Sequence, residues 1–174
     1  MLMTFAVFEY IVEQQKKLDR FFSKNSRWVP DARDRQMAII GERGEWYNEF
    51  TDEIRWWKHK ENSSKNIIDE CMDAWHFGAS IVYQDFQDTA SQRFVLYGMI
   101  TDEVERYRGK IAHFPEEKRV KELLWLHGTE ANDWIRILGI QTLLLEMLGY
   151  TNQDMKESYD EMNKKNYERI AQGY

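Results

Sequence analysis

Two prolines, Pro30 and Pro115, and nine glycines are all that interrupt 174 residues. Breakers this sparse favour long helices with short links. The apolar pattern agrees. From residue 2 to about residue 24, Phe5, Phe8, Ile11, Gln15, Leu18 and Phe22 recur at three and four, the helical period. After a break at Asn25 to Pro30, Asp31 or Asp34 can cap a second helix running to about Lys60, with Met37, Ile40, Tyr47, Phe50, Ile54 and Trp57 as its core stripe. A third helix starts near Ser64 and passes Val82. It is apolar nearly all round, which predicts a central, deeply buried position. Further helices are expected over roughly Gln92 to Arg108, Pro115 to Leu126, Asn132 to Leu148 and Thr151 to Arg169. Gly149 is a stop signal, and Thr151 with Asp154 forms a variant capping box. No strand-like alternation of useful length and no internal repeat is present. The expectation is all-α: one domain over residues 1–174, a bundle of about six to seven helices.

A chain of this length can bury a sizeable core, and its 43% hydrophobic and 14% aromatic content is that of a globular protein. The net charge of −6 argues against a nucleic-acid backbone as partner, which needs a basic face. It leaves open a nucleotide whose charge is met by metal ions. Cys71 is the single cysteine, so no intrachain disulfide forms, which suits a reducing compartment. The stretch Met1 to Val12 lacks the basic flank of a signal peptide, and no uncharged run of about 18 apolar residues exists to span a membrane.

Two acid pairs stand out. Glu42 and Glu45 lie on the second helix, Glu70 and Asp73 on the third. Each i,i+3 spacing puts both carboxylates on one side of a helix. Two such helices face to face gather four oxygen donors, the ligand type preferred by Mg²⁺, which often bridges to substrate phosphates. For Glu42 and Glu45 spacing alone favours a solvated face, because Glu42, Glu45, Glu49 and Glu53 run roughly opposite the expected apolar stripe. Glu70 and Asp73 sit among Ile, Cys, Met, Trp and Phe, where unpaired acids are costly. Their alternative is a single wet edge on a buried helix.

Other chemistry is thin. The four histidines show no H-E-x-x-H and no zinc spacing. His76 reads as a packing or hydrogen-bonding residue rather than a metal ligand, and Cys71 as core. Trp56, Trp57 and Lys58 read either as packing or as an aromatic wall beside a phosphate-binding ammonium. No P-loop or G-x-G-x-x-G occurs.

Glu42-Arg-Gly-Glu45 followed by Glu70-Cys-Met-Asp73 resembles the E-x-x-E … E-x-x-D pattern of the all-α, MazG-like nucleoside triphosphate pyrophosphatases. Further stretches narrow the resemblance to the dimeric dUTPase/dCTPase group, with a phage-type dUTPase as the expected member. Ile54-Arg-Trp-Trp-Lys58 is similar to its aromatic-Lys segment, and Asp73-Ala-Trp-His76-Phe77 to its D-x-x-H-F. Tyr159, Asn163, Asn166, Arg169, Gly173 and Tyr174 fall at the spacing of its C-terminal signature. Gln15-Lys-Lys-Leu18-Asp19 resembles its first motif.

The resemblance implies two or more Mg²⁺ ions per site on Glu42, Glu45, Glu70 and Asp73, with Glu45 as the catalytic carboxylate. It implies substrate contacts from Gln15, Asp19, Trp57 and His76, and phosphate contacts from Lys58 and Arg169. Asn163 and Asn166 would touch sugar or phosphate, while Phe77 and Tyr174 would enclose base and sugar. It also implies a homodimer in the cytoplasm (of the host, if phage-encoded) that splits dUTP to dUMP and pyrophosphate. Three positions depart from the pattern: Met162 and Ile170 replace the usual Lys and Gln, and Lys60 replaces a Trp. A dCTP or dual-specificity enzyme, and a non-catalytic regulatory protein on the same scaffold, are the competing readings.

Overall fold

The computed structural model describes residues 2–25, 29–50, 53 and 63–173. Among them are seven helices and no strand: α1 Phe5–Asn25, α2 Ala32–Asn48, α3 Ser64–Gln84, α4 Ala90–Ile111, α5 Glu116–Glu130, α6 Trp134–Met147 and α7 Asn152–Ala171. The all-α expectation holds. Most starts are written in side chains. Asp31 and Asp34 form a reciprocal capping box on α2, as Thr151 and Asp154 do on α7. Ser63, Thr89 and Asp133 accept from backbone N–H groups at the starts of α3, α4 and α6. Gly149, at φ 87°, ends the run after α6 in the left-handed conformation open to glycine.

α3 is buried on most of its circumference and packs against α1, α2, α6 and α7. Gly78 lets α3 approach α6: a Cβ there would stand 2.5 Å from Leu138 Cδ1. α6 is almost wholly buried from Ile137 to Leu145, against α3, α4 and α5. Its strong apolarity is therefore used inside the chain and leaves no wide face for a partner. Exposed large apolar side chains include Phe94, Val95 and Met99 on α4, Met37 and Ile40 on α2 and Trp125 on α5. Among the described residues no helix is long and apolar enough to cross a membrane.

α2 differs from the sequence reading in length and in face. It stops at Asn48 instead of running to Lys60. Phe50 folds back onto Trp46, ring centroids 4.8 Å apart, and its N–H bonds to the Tyr47 carbonyl. Fully burying that ring outweighs continuing the helix. Met37 and Ile40 are not core: they are 65% and 46% exposed. The buried stripe is Arg35, Ile39 and Trp46, with half-buried Glu42 between. That spacing of four, three and four is helical. It carries Glu42 toward α3 instead of toward solvent. Ile54 and Trp57, also assigned to this stripe, lie outside the described residues.

Candidate active site

The α2–α3 packing sets one acid pair against the other. Glu42, Glu45 and Glu70 each offer a carboxylate oxygen, and these atoms lie within 4.8 Å of one another. Glu45 is exposed, whereas Glu42, Glu70 and Asp73 are half-buried. Burial pushes the Glu42 carboxyl up to about 7, helped by the charges of Asp73, Glu45 and Glu70 and opposed by Arg169. Asp73 also rises to about 7, through burial and then Glu70, against Arg169 and Lys165. Acids so crowded raise one another's cost of ionising. The donor set is all oxygen, fitting a hard divalent cation such as Mg²⁺.

A cleft of about 320 Å³ opens beside Glu42 and Asp73. α1 lends it Gln15 and Asp19, α3 lends His76 and Phe77, and α7 lends Asn166 and Arg169. So acids, an aromatic ring, amides and a guanidinium, drawn from stretches far apart in the chain, share one cavity. Asn163 is not on its wall; it is buried, its Oδ1 without a partner among the described residues. Trp57, Lys58 and Tyr174 lie outside the described residues. Of the three departures, Ile170 lines the cleft, and Met162 is buried with Lys165 Nζ 3.5 Å from its sulfur. Lys60 lies outside the described residues. The positive charge absent at Met162 is supplied in part by Lys165, which acts on Asp73.

A family model described as dUTPase matches residues 7–174. The chain belongs to the dUTPase family. It is thereby an all-α nucleoside triphosphate pyrophosphatase with a nucleotide as substrate. Among curated proteins none matches it.

Several polar residues of this dUTPase-family site escape a motif reading. Arg35 lines the cleft and is buried, held by the Pro30 carbonyl at 2.6 Å, Gln84 Oε1 at 3.1 Å and the Asp85 carboxylate. Ser80, Tyr83 and Gln84 donate to Asp19, which the first motif does name. A signal for Ser80 and Gln84 was present: with Asp73 and His76 they follow at three and four along an otherwise apolar helix, a polar stripe of which His76, Ser80 and Gln84 meet α1.

Proposed function

We propose that residues 1–174 act as one Mg²⁺-dependent dUTP diphosphatase domain, giving dUMP and pyrophosphate. The observation that carries this reading is the Glu42, Glu45 and Glu70 oxygen cluster, whose Glu42 lines a cleft shared with Asp73, Arg169 and Phe77. Glu42, Glu45, Glu70 and Asp73 would hold the metal. When bound, Mg²⁺ neutralises phosphate charge and lowers the pKa of a bound water. Glu45, as the exposed member of the cluster, orients a water arriving from solvent and accepts its proton. The water oxygen bonds to the α-phosphorus, the bridging P–O bond breaks, and pyrophosphate leaves. Arg169 binds phosphate, Asn166 the sugar or phosphate, and Phe77 stacks on the base. Lys58 and Tyr174 complete the phosphate and base contacts.

The working unit is a homodimer. The exposed apolar residues of α4 and α2 support this, because grouped apolar surface on a folded protein marks interfaces. The test of the function is pyrophosphate release from dUTP and from dCTP with Mg²⁺. Turnover of dUTP that depends on Glu45 and Asp73 supports the reading. Preferred turnover of dCTP replaces the substrate, and no turnover of any deoxynucleotide removes the enzyme.

A further inference from the structure

Along the wall of the cleft runs a hydrogen-bond chain with a single direction. It starts at the Asp19 carboxylate, which can only accept. Oδ2 takes bonds from Ser80 Oγ at 2.5 Å, Tyr83 OH at 2.7 Å and Gln84 Nε2 at 2.8 Å. Oδ1 takes one from Gln15 Nε2 at 2.7 Å. An acceptor on that side obliges the Gln15 amide to present its N–H₂ to Asp19, so its Oε1 must face the other way. There Oε1 meets Tyr159 OH at 2.8 Å and His76 Nδ1 at 2.7 Å. Both must donate, because an amide oxygen has no proton to give. His76 therefore carries its proton on Nδ1.

That leaves His76 Nε2 as a bare lone pair. The residue is 4% exposed, lines the cleft and stacks on Tyr159 with centroids 4.3 Å apart. Burial keeps the ring neutral, with its pKa held down at about 3. Nε2 has no hydrogen-bond partner among the described residues. A buried acceptor left unmet is costly, and a ligand that offers a donor removes the cost.

We propose that Asp19 and Gln15 are positioning residues that lock His76 as its Nδ1–H tautomer, so that Nε2 accepts a hydrogen bond from an N–H or O–H of the bound nucleoside. This rests on the reading of the cleft as a nucleotide site. Two donors of a deoxyuridine nucleotide qualify: the base N3–H and the sugar 3′-OH. Cytosine carries a lone pair at N3, so in the first case the same device rejects dCTP at that atom.

The tautomer can be read without substrate, from long-range proton–nitrogen NMR spectra of histidine-labelled protein. The expected result is a protonated Nδ1 and a bare Nε2 on His76. A protonated Nε2 would overturn the proposal. Asp19→Asn removes the obligatory acceptor, frees Gln15 to turn, and should give a mixture of tautomers with an unchanged fold by circular dichroism. It should also raise the KM for dUTP by about tenfold or more at nearly constant kcat. A folded Asp19→Asn protein with an unaltered His76 tautomer also overturns it. N3-methyl-dUTP and 2′,3′-dideoxyuridine triphosphate separate the donors in the wild-type protein. About tenfold or greater weakening of the first assigns the base, and of the second the sugar. Binding of both as tight as dUTP sinks the ligand contact. If dUTP is not turned over at all, the substrate assignment fails on its own, and the tautomer spectrum still decides this one.

Discussion

Replacing Glu42 and Asp73 together by Gln and Asn should stabilise the metal-free protein at alkaline pH, although it removes two of its proposed ligands. The sign follows from the direction of the shifts. Both carboxyls are raised in the fold, to about 7 from ordinary values of 4.5 and 3.8. Below their unfolded values each is protonated in both states and folding carries no penalty. As pH climbs toward 7 the unfolded chain releases protons that the folded chain retains, and stability falls until the folded groups also ionise. At about 1.4 kcal/mol per tenfold, the Glu42 shift alone corresponds to about 3 kcal/mol. Glu42 keeps some water contact, and part of its shift is the charge of Asp73. Screening and overlap reduce the pair to about 3 kcal/mol in total. For a chain of this size that is about 6 to 12 °C in Tm. Thermal melts in chelator at about pH 5 and about pH 8 measure it, and the double variant subtracts every other titrating group. The variant should gain clearly more on the wild type at the higher pH than at the lower, where only part of the penalty has developed. Added Mg²⁺ should then raise the Tm of the wild type by mass action and leave the variant nearly unmoved. A double variant less stable than wild type at about pH 8 without metal would refute the picture of crowded, underpaired acids.

Single replacement of Glu45 or Asp73 by Ala should abolish turnover with helicity retained by circular dichroism; near wild-type rates would remove that residue from the ligand set. Gly78→Ala drives a methyl against Leu138 and should cost about 1–3 kcal/mol in denaturant melts, with Leu138→Ala in the same chain recovering part of the loss. Deleting residues 171–174 should weaken nucleotide binding more than it lowers Tm, and an unchanged KM would exclude a role for the tail. In sedimentation at micromolar concentration the protein should run as a dimer; a fully active species of about 21 kDa would contradict it.

What could be read in the sequence divides by how many elements each inference needed. Helix ends depend on a few adjacent residues: Asp31, Ser64 and Thr151 marked starts, and Gly149 a stop, to within a residue or so. The α3 core position was equally legible, since a helix apolar all round has no other place to go. The end and the facing of α2 were not. Phe50 competes between extending a helix and capping Trp46, and only the tertiary packing decides. The apolar residues of α2 point several ways, so periodicity chose Met37 and Ile40 while the fold chose Ile39 and Trp46. One rotation of that helix separates a solvated acid from one aimed at α3, and so the two readings of Glu42 had to stay open. The same logic applies to Asp19. Its neighbours on α1 say nothing about a carboxylate that answers to Ser80, Tyr83 and Gln84 on another helix. A motif can name Gln15, Asp19 and His76 as site residues, but the order in which they hand a proton's position to one another exists only once α1, α3 and α7 are packed. The direction of that chain is set at its acceptor-only end, Asp19 on the α1 wall of the cleft, which is why a change at Asp19 should be felt at His76.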